Sequence, residues 1–434
     1  MGDPLDRANL AFAERYPGES PARQPVHTVY GGGHLFRRDT APRLGQHALR
    51  SLEEYGSSAG EFTRATGVPE RLGELVYQRV RERLTREAVE DFRIDFEDGY
   101  GNRPDEEEDR HAAEAAREVS AGASENILPA FIGIRVKPLN QELRRRSTRT
   151  MEIFLSTLAE GGNGLPGGFV ITLPKVTIPE QVTHAVETVA ALEQRLRLAE
   201  GTVALELMVE MPQAIIDQNG RCPLVSLIAA GQGRIRGAHF GTYDYTAGLS
   251  ITAAYQRMSH PACDFAKSIM QVALAGTGVW LSDGATGIMP VPIHRAAEGQ
   301  SLTSEALHEN RQSVHRAWAL HYADVRHALE TGFYQGWDLH PAQLPTRYAA
   351  VFAFFLEGLD AAAERLRNFL AKAAQATLVG DVFDDAATGQ GLLNYFLRAI
   401  NSGAVSEAEA MRLTGLTAED FQSRSFTRIL QRRR

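Results

Sequence analysis

Residues 91–100 read DFRIDFEDGY. Alternation along a strand would put Ile94 and Phe96 on one face and Asp95 and Glu97 on the other, with Asp98 and Gly99 following at once. A buried strand that aims two carboxylates one way needs positive charge in front of it, because uncompensated buried charge costs several kcal/mol. The same habit recurs further along. IRVKPL (134–139) carries Arg135 and Lys137, and LPKV (173–176) carries Lys175. ALELMVEMP (204–212) puts Glu206, Met208 and Glu210 on one face, and HFGTYDY (239–245) delivers Asp244 just past Gly241. Two later stretches end in Asp283 and His340. Taken singly, each of these residues reads as a salt bridge or a helix cap. Asp98 and Asp283, each beside a glycine, read most simply as turn residues.

Together they describe a site. Carboxylate oxygens from separate strands suit a hard divalent cation, Mg²⁺ or Mn²⁺, which takes a few of them and keeps water or substrate in its other positions. Glu210 and Asp244 are the candidate metal ligands, with Glu97 or Asp98 holding a metal-bound water. Zinc fits less well, since cysteine is absent from these stretches and His239 and His340 fall on separate strands. Arg135 has the complementary job, because a planar guanidinium can grip a carboxylate through two parallel hydrogen bonds. Metal plus arginine describes a site for a 2-oxo acid, in which Arg135, Glu97 and Asp98 form the catalytic set. A Schiff-base lysine, Lys137 or Lys175, would have to stay neutral, and the neighbouring acids oppose that.

The elements that must gather these residues show as a rhythm. Strand-like runs at 25–36, 91–98, 130–139, 167–176, 202–212, 234–245, 276–286 and 333–343 are separated by crossovers long enough for helices, with helical periodicity clearest over 105–120, 141–160, 179–199, 213–231 and 303–330. Eight βα units point to an α/β fold, a (β/α)₈ TIM barrel over 25–350, where strand ends and the loops after them face a common mouth. The glycines at 31–33 do not spell a dinucleotide-binding GxGxxG; followed by His34, they permit close approach of a phosphate or thioester, or make a plain turn. Residues 1–24 read as a helical lead-in and 351–434 as a C-terminal helical extension, where Ser406 and Glu409 have capping-box spacing. His308, His315, His321 and His327 lie at intervals that make a histidine-rich helix rather than a metal site.

The bulk numbers exclude several classes. The 434 residues carry a net charge of −8, which argues against nucleic acid as a partner. Two cysteines, Cys222 and Cys263, cannot build a disulfide framework, which fits a reducing compartment. The first twenty residues lack a signal-peptide layout and no apolar run reaches the length of a membrane span, so a cytoplasmic protein without membrane contact is expected.

Six of the short stretches resemble one known group, the HpcH/HpaI aldolase and citrate lyase β-subunit superfamily, which includes malyl-CoA lyases. DFED (95–98) is similar to its DLED, VEMP (209–212) to its IETP, FGTYD (240–244) to its FGxxD and LHPAQ (339–343) to its IHPxQ. IRVKPL and LPKV resemble its third and fourth strands. The resemblance covers about 25–350 and implies a metal-dependent barrel, usually a homo-oligomer, working on C–C bonds next to a 2-oxo acid. It implies Glu210 and Asp244 as ligands of Mg²⁺ or Mn²⁺ and Arg135 on the oxo acid, and Gly241 and Lys175 stand beside that substrate. Pyruvate, oxaloacetate or glyoxylate, or a hydroxy-acid or acyl-CoA adduct of one, is the expected small molecule. By the same resemblance Asp381, Asp384 or Asp385 in GDVFDDAATG (380–389) is a candidate base, and His340 is an alternative. A malate synthase-like condensing enzyme, and a barrel that binds an acid metabolite without turnover or serves as a lyase-complex subunit, are the other expectations. The stretches GTYDYTAGLSITAAYQRMSHPACDF and WLSDGATGIMPVP match no subfamily pattern.

Overall fold

A computed structural model describes residues 3–18, 20, 22–162, 164–297, 299–371, 377–379, 382–384 and 386–432, with the side chains of 372–387 outside that description. Asp381 and Asp385, and the side chain of Asp384, therefore lie outside the described residues. Eight parallel strands close into a barrel in chain order: β1 (His27–Gly32), β2 (Asp91–Asp95), β3 (Phe131–Arg135), β4 (Val170–Leu173), β5 (Ala204–Val209), β6 (Ile235–Phe240), β7 (Trp280–Ala285) and β8 (Gln335–Asp338). β8 returns to β1 with Trp337 beside Thr28. Helices connect every pair of strands, so the fold is the (β/α)₈ barrel with further helices at the C-terminus.

Alternation decides which side of each strand does what. Phe92, Ile94, Ile132, Ile134, Leu205, Leu207 and Val209 face outward and join one continuous apolar core with the helices. Each such side chain contributes about 1.5–3 kcal/mol by leaving water. Many of the inward residues are polar. Arg93 donates from Nη2 to Glu206 at 2.7 Å and from Nε to Thr172 at 3.1 Å, and it also pairs with Asp91. Trp337 Nε1 donates to His239 Nδ1 at 3.3 Å, which leaves Nε2 to face Glu206 at 3.1 Å. This network forms the floor beneath the mouth. A second network lies in the barrel wall. There Asp338 accepts from Arg347 at 2.9 Å and from His321 at 3.0 Å, with His27 at 3.2 Å.

Several boundaries differ from the sequence reading, for local reasons. The first run stops at Gly32, because Gly33 and His34 turn. The run 234–245 divides: β6 ends at Phe240 and residues Thr242–Gly248 form a helix, which puts Asp244 in a helical first turn. The stretch 213–231 divides at Ile216 into the helices Pro212–Ile215 and Leu224–Ala230, and the turn between them contains Asn219 and Gly220. Helix Leu344–Glu357 runs across residue 350 and is buried along most of its length. In the C-terminal region, 377–379 pairs antiparallel with 382–384, inside the stretch the sequence reading gave as a helical extension. Among the described residues, no helix is long and apolar enough to cross a membrane.

Candidate active site

Arg135 ends β3 and is 4% exposed. Its Nε and Nη2 bond the two oxygens of Asp95 at 2.7 and 2.5 Å, and Nη1 meets Glu97 at 3.0 Å. The Tyr30 ring lies 4.9 Å from the guanidinium and the Trp337 ring 5.8 Å away, so two aromatic faces fix its plane. This corrects one expectation. The side-on grip foreseen for a substrate carboxylate is taken by Asp95, and the remaining nitrogen, Nη1, faces Glu97 and Asp98. It also fixes the role of Asp95. Besides Arg135, Asp95 accepts the backbone N–H groups of Glu97 at 3.0 Å and Gly99 at 2.7 Å. It shapes the turn that presents the other two acids.

Those acids converge on Lys175. Its ammonium bonds Glu97 and lies 3.5 Å from Asp98 and 3.3 Å from Asp244. Lys175 adopts φ 52°, a left-handed conformation that is uncommon outside glycine and asparagine. That conformation lets its own N–H donate to Glu210 Oε1 at 2.8 Å. One residue thus touches acids from three strand ends. Gly241 has a packing role here: a Cβ at that position would stand 2.4 Å from Glu210 Cβ and 2.6 Å from its Oε2. Only a glycine leaves room for the carboxylate.

The electrostatics are unbalanced. Among the described residues, Asp95, Glu97, Asp98, Glu210 and Asp244 face two cationic side chains, Arg135 and Lys175. Burial pushes the Glu210 carboxyl up to about 8, helped by Asp244 and Glu97 and opposed by Lys175. Burial likewise raises Glu97. Burial opposes the charge on Lys175, yet Glu210, Glu97 and Asp98 hold its ammonium above the ordinary lysine range, which disfavours a Schiff-base role. Among the described residues, no three histidine, cysteine, aspartate or glutamate side chains are grouped to hold a metal unaided. Two hard carboxylates, Glu210 and Asp244, fit an ion such as Mg²⁺ that takes one or two protein oxygens and fills its sphere with water and substrate.

Other candidates are occupied elsewhere. Lys137 turns away from the mouth to Glu108 at 2.7 Å and the Phe96 carbonyl at 2.6 Å. Asp283 pairs with Lys267 at 3.0 Å and accepts the Gly284 N–H at 2.8 Å. His340 Nδ1 accepts the Ala342 N–H at 3.1 Å, so that nitrogen caps the turn after β8 rather than standing ready as a base. Of the four helix histidines, His321 joins the Asp338 network, His327 meets Asp264, His315 meets the Tyr55 carbonyl and His308 meets Gln312. Sequence reasoning missed Tyr30 and Trp337. The available signal was alternation, since Tyr30 shares a strand face with Thr28 and Trp337 shares one with Gln335.

The fold has solved counterparts. A citrate lyase from Burkholderia xenovorans LB400 is similar with a TM-score of 0.59 and 19% identity, over 91% of this chain and 97% of that one. A malate synthase from Haloferax volcanii gives 0.45 and 14%, over 94% and 99%. An HpcH/HpaI aldolase/citrate lyase family protein from Burkholderia cenocepacia J2315 gives 0.41 and 14%, over 83% and 99%. At such identities the likeness concerns the fold alone. No curated protein sequence matches this chain. A family model does match, across residues 5–429, and the chain belongs to that family, described as a domain of unknown function (DUF6986).

Proposed function

We propose that this protein is a metal-dependent carbon–carbon lyase or aldolase that acts on a 2-oxo acid, or on a hydroxy-acid adduct of one, with Mg²⁺ or Mn²⁺ held by Glu210 and Asp244. One observation carries the reading: at the barrel mouth five carboxylates face two cationic side chains. The fold it shares with a protein described as a citrate lyase supports a carbon–carbon bond as the one acted on. When bound, the ion would polarise the carboxylate and keto oxygens of the substrate.

The chain's own residues supply the rest. Arg135, held flat by Asp95, Tyr30 and Trp337, presents a fixed positive edge toward negative charge on the oxo-acid oxygen. Glu97 and Asp98 hold water at the mouth. In cleavage, a base takes the proton from the substrate hydroxyl, that oxygen becomes a carbonyl, and the C–C electron pair passes to the oxo-acid fragment as its enolate. Reprotonation at carbon releases the product.

The test is calorimetric titration of chelator-treated protein with pyruvate, oxaloacetate and glyoxylate, each with and without Mg²⁺ or Mn²⁺. Glu210→Ala and Asp244→Ala are the controls. Binding that requires metal and disappears in both variants is the expected result. Equal binding without metal would sink the assignment.

A further inference from the structure

The Lys175 ammonium stands among Glu97, Asp98 and Asp244 while its backbone N–H holds Glu210. The two jobs are separable. The N–H bond depends on the left-handed backbone, with φ at 52°. The ammonium ends a flexible four-carbon stem that is 26% exposed, and Asp98 beside it is 62% exposed, so the stem has a path to solvent. Arg135 lacks that freedom, because Asp95 and two aromatic rings clamp it.

Resting on the metal-dependent reading above, we infer that Lys175 is a built-in counter-ion, which holds the acids together in the metal-free protein and leaves when a divalent cation arrives. A divalent ion and an ammonium compete for the same oxygens and repel one another. Asp244 is the carboxylate both would use, since it lies 3.3 Å from Nζ and is a proposed metal ligand. Departure of the side chain leaves the backbone N–H on Glu210 unchanged, so the carboxylate stays aimed. Lys175 then acts as a positioning residue that tunes metal affinity, and its freed ammonium is available to a substrate anion at the rim.

Two measurements test the exchange on the full chain. The first is titration of Mg²⁺, and separately Mn²⁺, into chelator-treated wild type, Lys175→Met and Glu210→Gln, with thermal unfolding followed with and without metal. Lys175→Met should melt at least about 2 °C lower without metal. It should regain that loss with metal and bind the ion at least about tenfold more tightly than wild type. A purely structural lysine would leave the melting loss unrepaired.

The second measurement uses only wild type and stands even if Lys175→Met fails to fold. The chain has four lysines, Lys137, Lys175, Lys267 and Lys372. Reductive methylation read by peptide mass spectrometry should label Lys175 faster with Mg²⁺. Lys137 and Lys267, tied to Glu108 and Asp283, should not respond. Equal or weaker metal binding by Lys175→Met, or Lys175 labelling that metal leaves unchanged, overturns the exchange while the metal site stands. Failure of both ions to bind or to shift melting in wild type and Lys175→Met alike overturns the metal reading itself.

Discussion

Two ionic clusters in this barrel both set carboxylates against cationic or basic side chains, and they close their charge balance differently. Around Asp338, in the wall, a single carboxylate receives Arg347, His321 and His27, and every member is buried. At the mouth, five carboxylates share Arg135 and Lys175, and one of them, Glu210, is buried deeply enough that its carboxyl is pushed up to about 8. The wall is self-sufficient. Among the described residues the mouth carries more acids than cations; exposure of Asp98 and Asp244 and the raised Glu210 carboxyl relieve part of that excess, and the proposed metal would relieve the rest. The contrast separates an acid whose charge is matched by buried partners from acids whose charge is not.

The comparison can be broken by mutation. Asp338→Ala strands Arg347 in the wall and should cost about 3–5 kcal/mol in urea denaturation. Gly241→Ala tests the mouth by volume, because its new Cβ overlaps Glu210. It should cost about 1–3 kcal/mol as overpacking, and metal binding should go with it. Glu210→Gln keeps the acceptor for the Lys175 N–H and removes an acid from the crowded side. In chelator-treated protein it should therefore raise stability by about 0.5–2 kcal/mol, the opposite sign to the wall. A loss comparable to that of Asp338→Ala would make the mouth an ordinary structural cluster.

The smallest effect is a pH dependence. Arg347 and its two histidine partners outweigh burial and hold the Asp338 carboxyl well below its usual range. Its folded-state value is thus depressed relative to the unfolded chain. The stability it contributes is present above about pH 4 and is lost as pH falls below that. Asp338→Asn should show a shallower decline than wild type from pH 5 to pH 3, as read from urea midpoints.

Much of the barrel was legible from alternation alone. Ile94, Ile134 and Leu207 on one side, with Asp95, Arg135 and Glu206 on the other, state which face meets the helices, because apolar side chains cannot be left in water and charges cannot be left in oil. Where turn chemistry competes with periodicity, legibility failed. Gly241 ends β6 early and sends Asp244 into a helix, and the Asn219–Gly220 turn divides a stretch that looked continuous. The mouth was legible as a set of acids and bases. Its pairings were not, since Asp95 and Arg135 lie 40 residues apart and Lys175 and Glu97 lie 78 apart.

The sequence by itself determined the order of the eight barrel strands, the inward and outward faces, and the fact that ionisable side chains end nearly every strand. These follow from local periodicity, which each short stretch carries within it. Only the tertiary structure decided that Arg135 belongs first to Asp95, that Lys137 and Asp283 pair with Glu108 and Lys267, and that Lys175 stands among the acids with Glu210 on its backbone. Those outcomes turn on distances of a few ångströms between strand ends far apart in the chain. Barrel closure sets such distances, and local pattern does not.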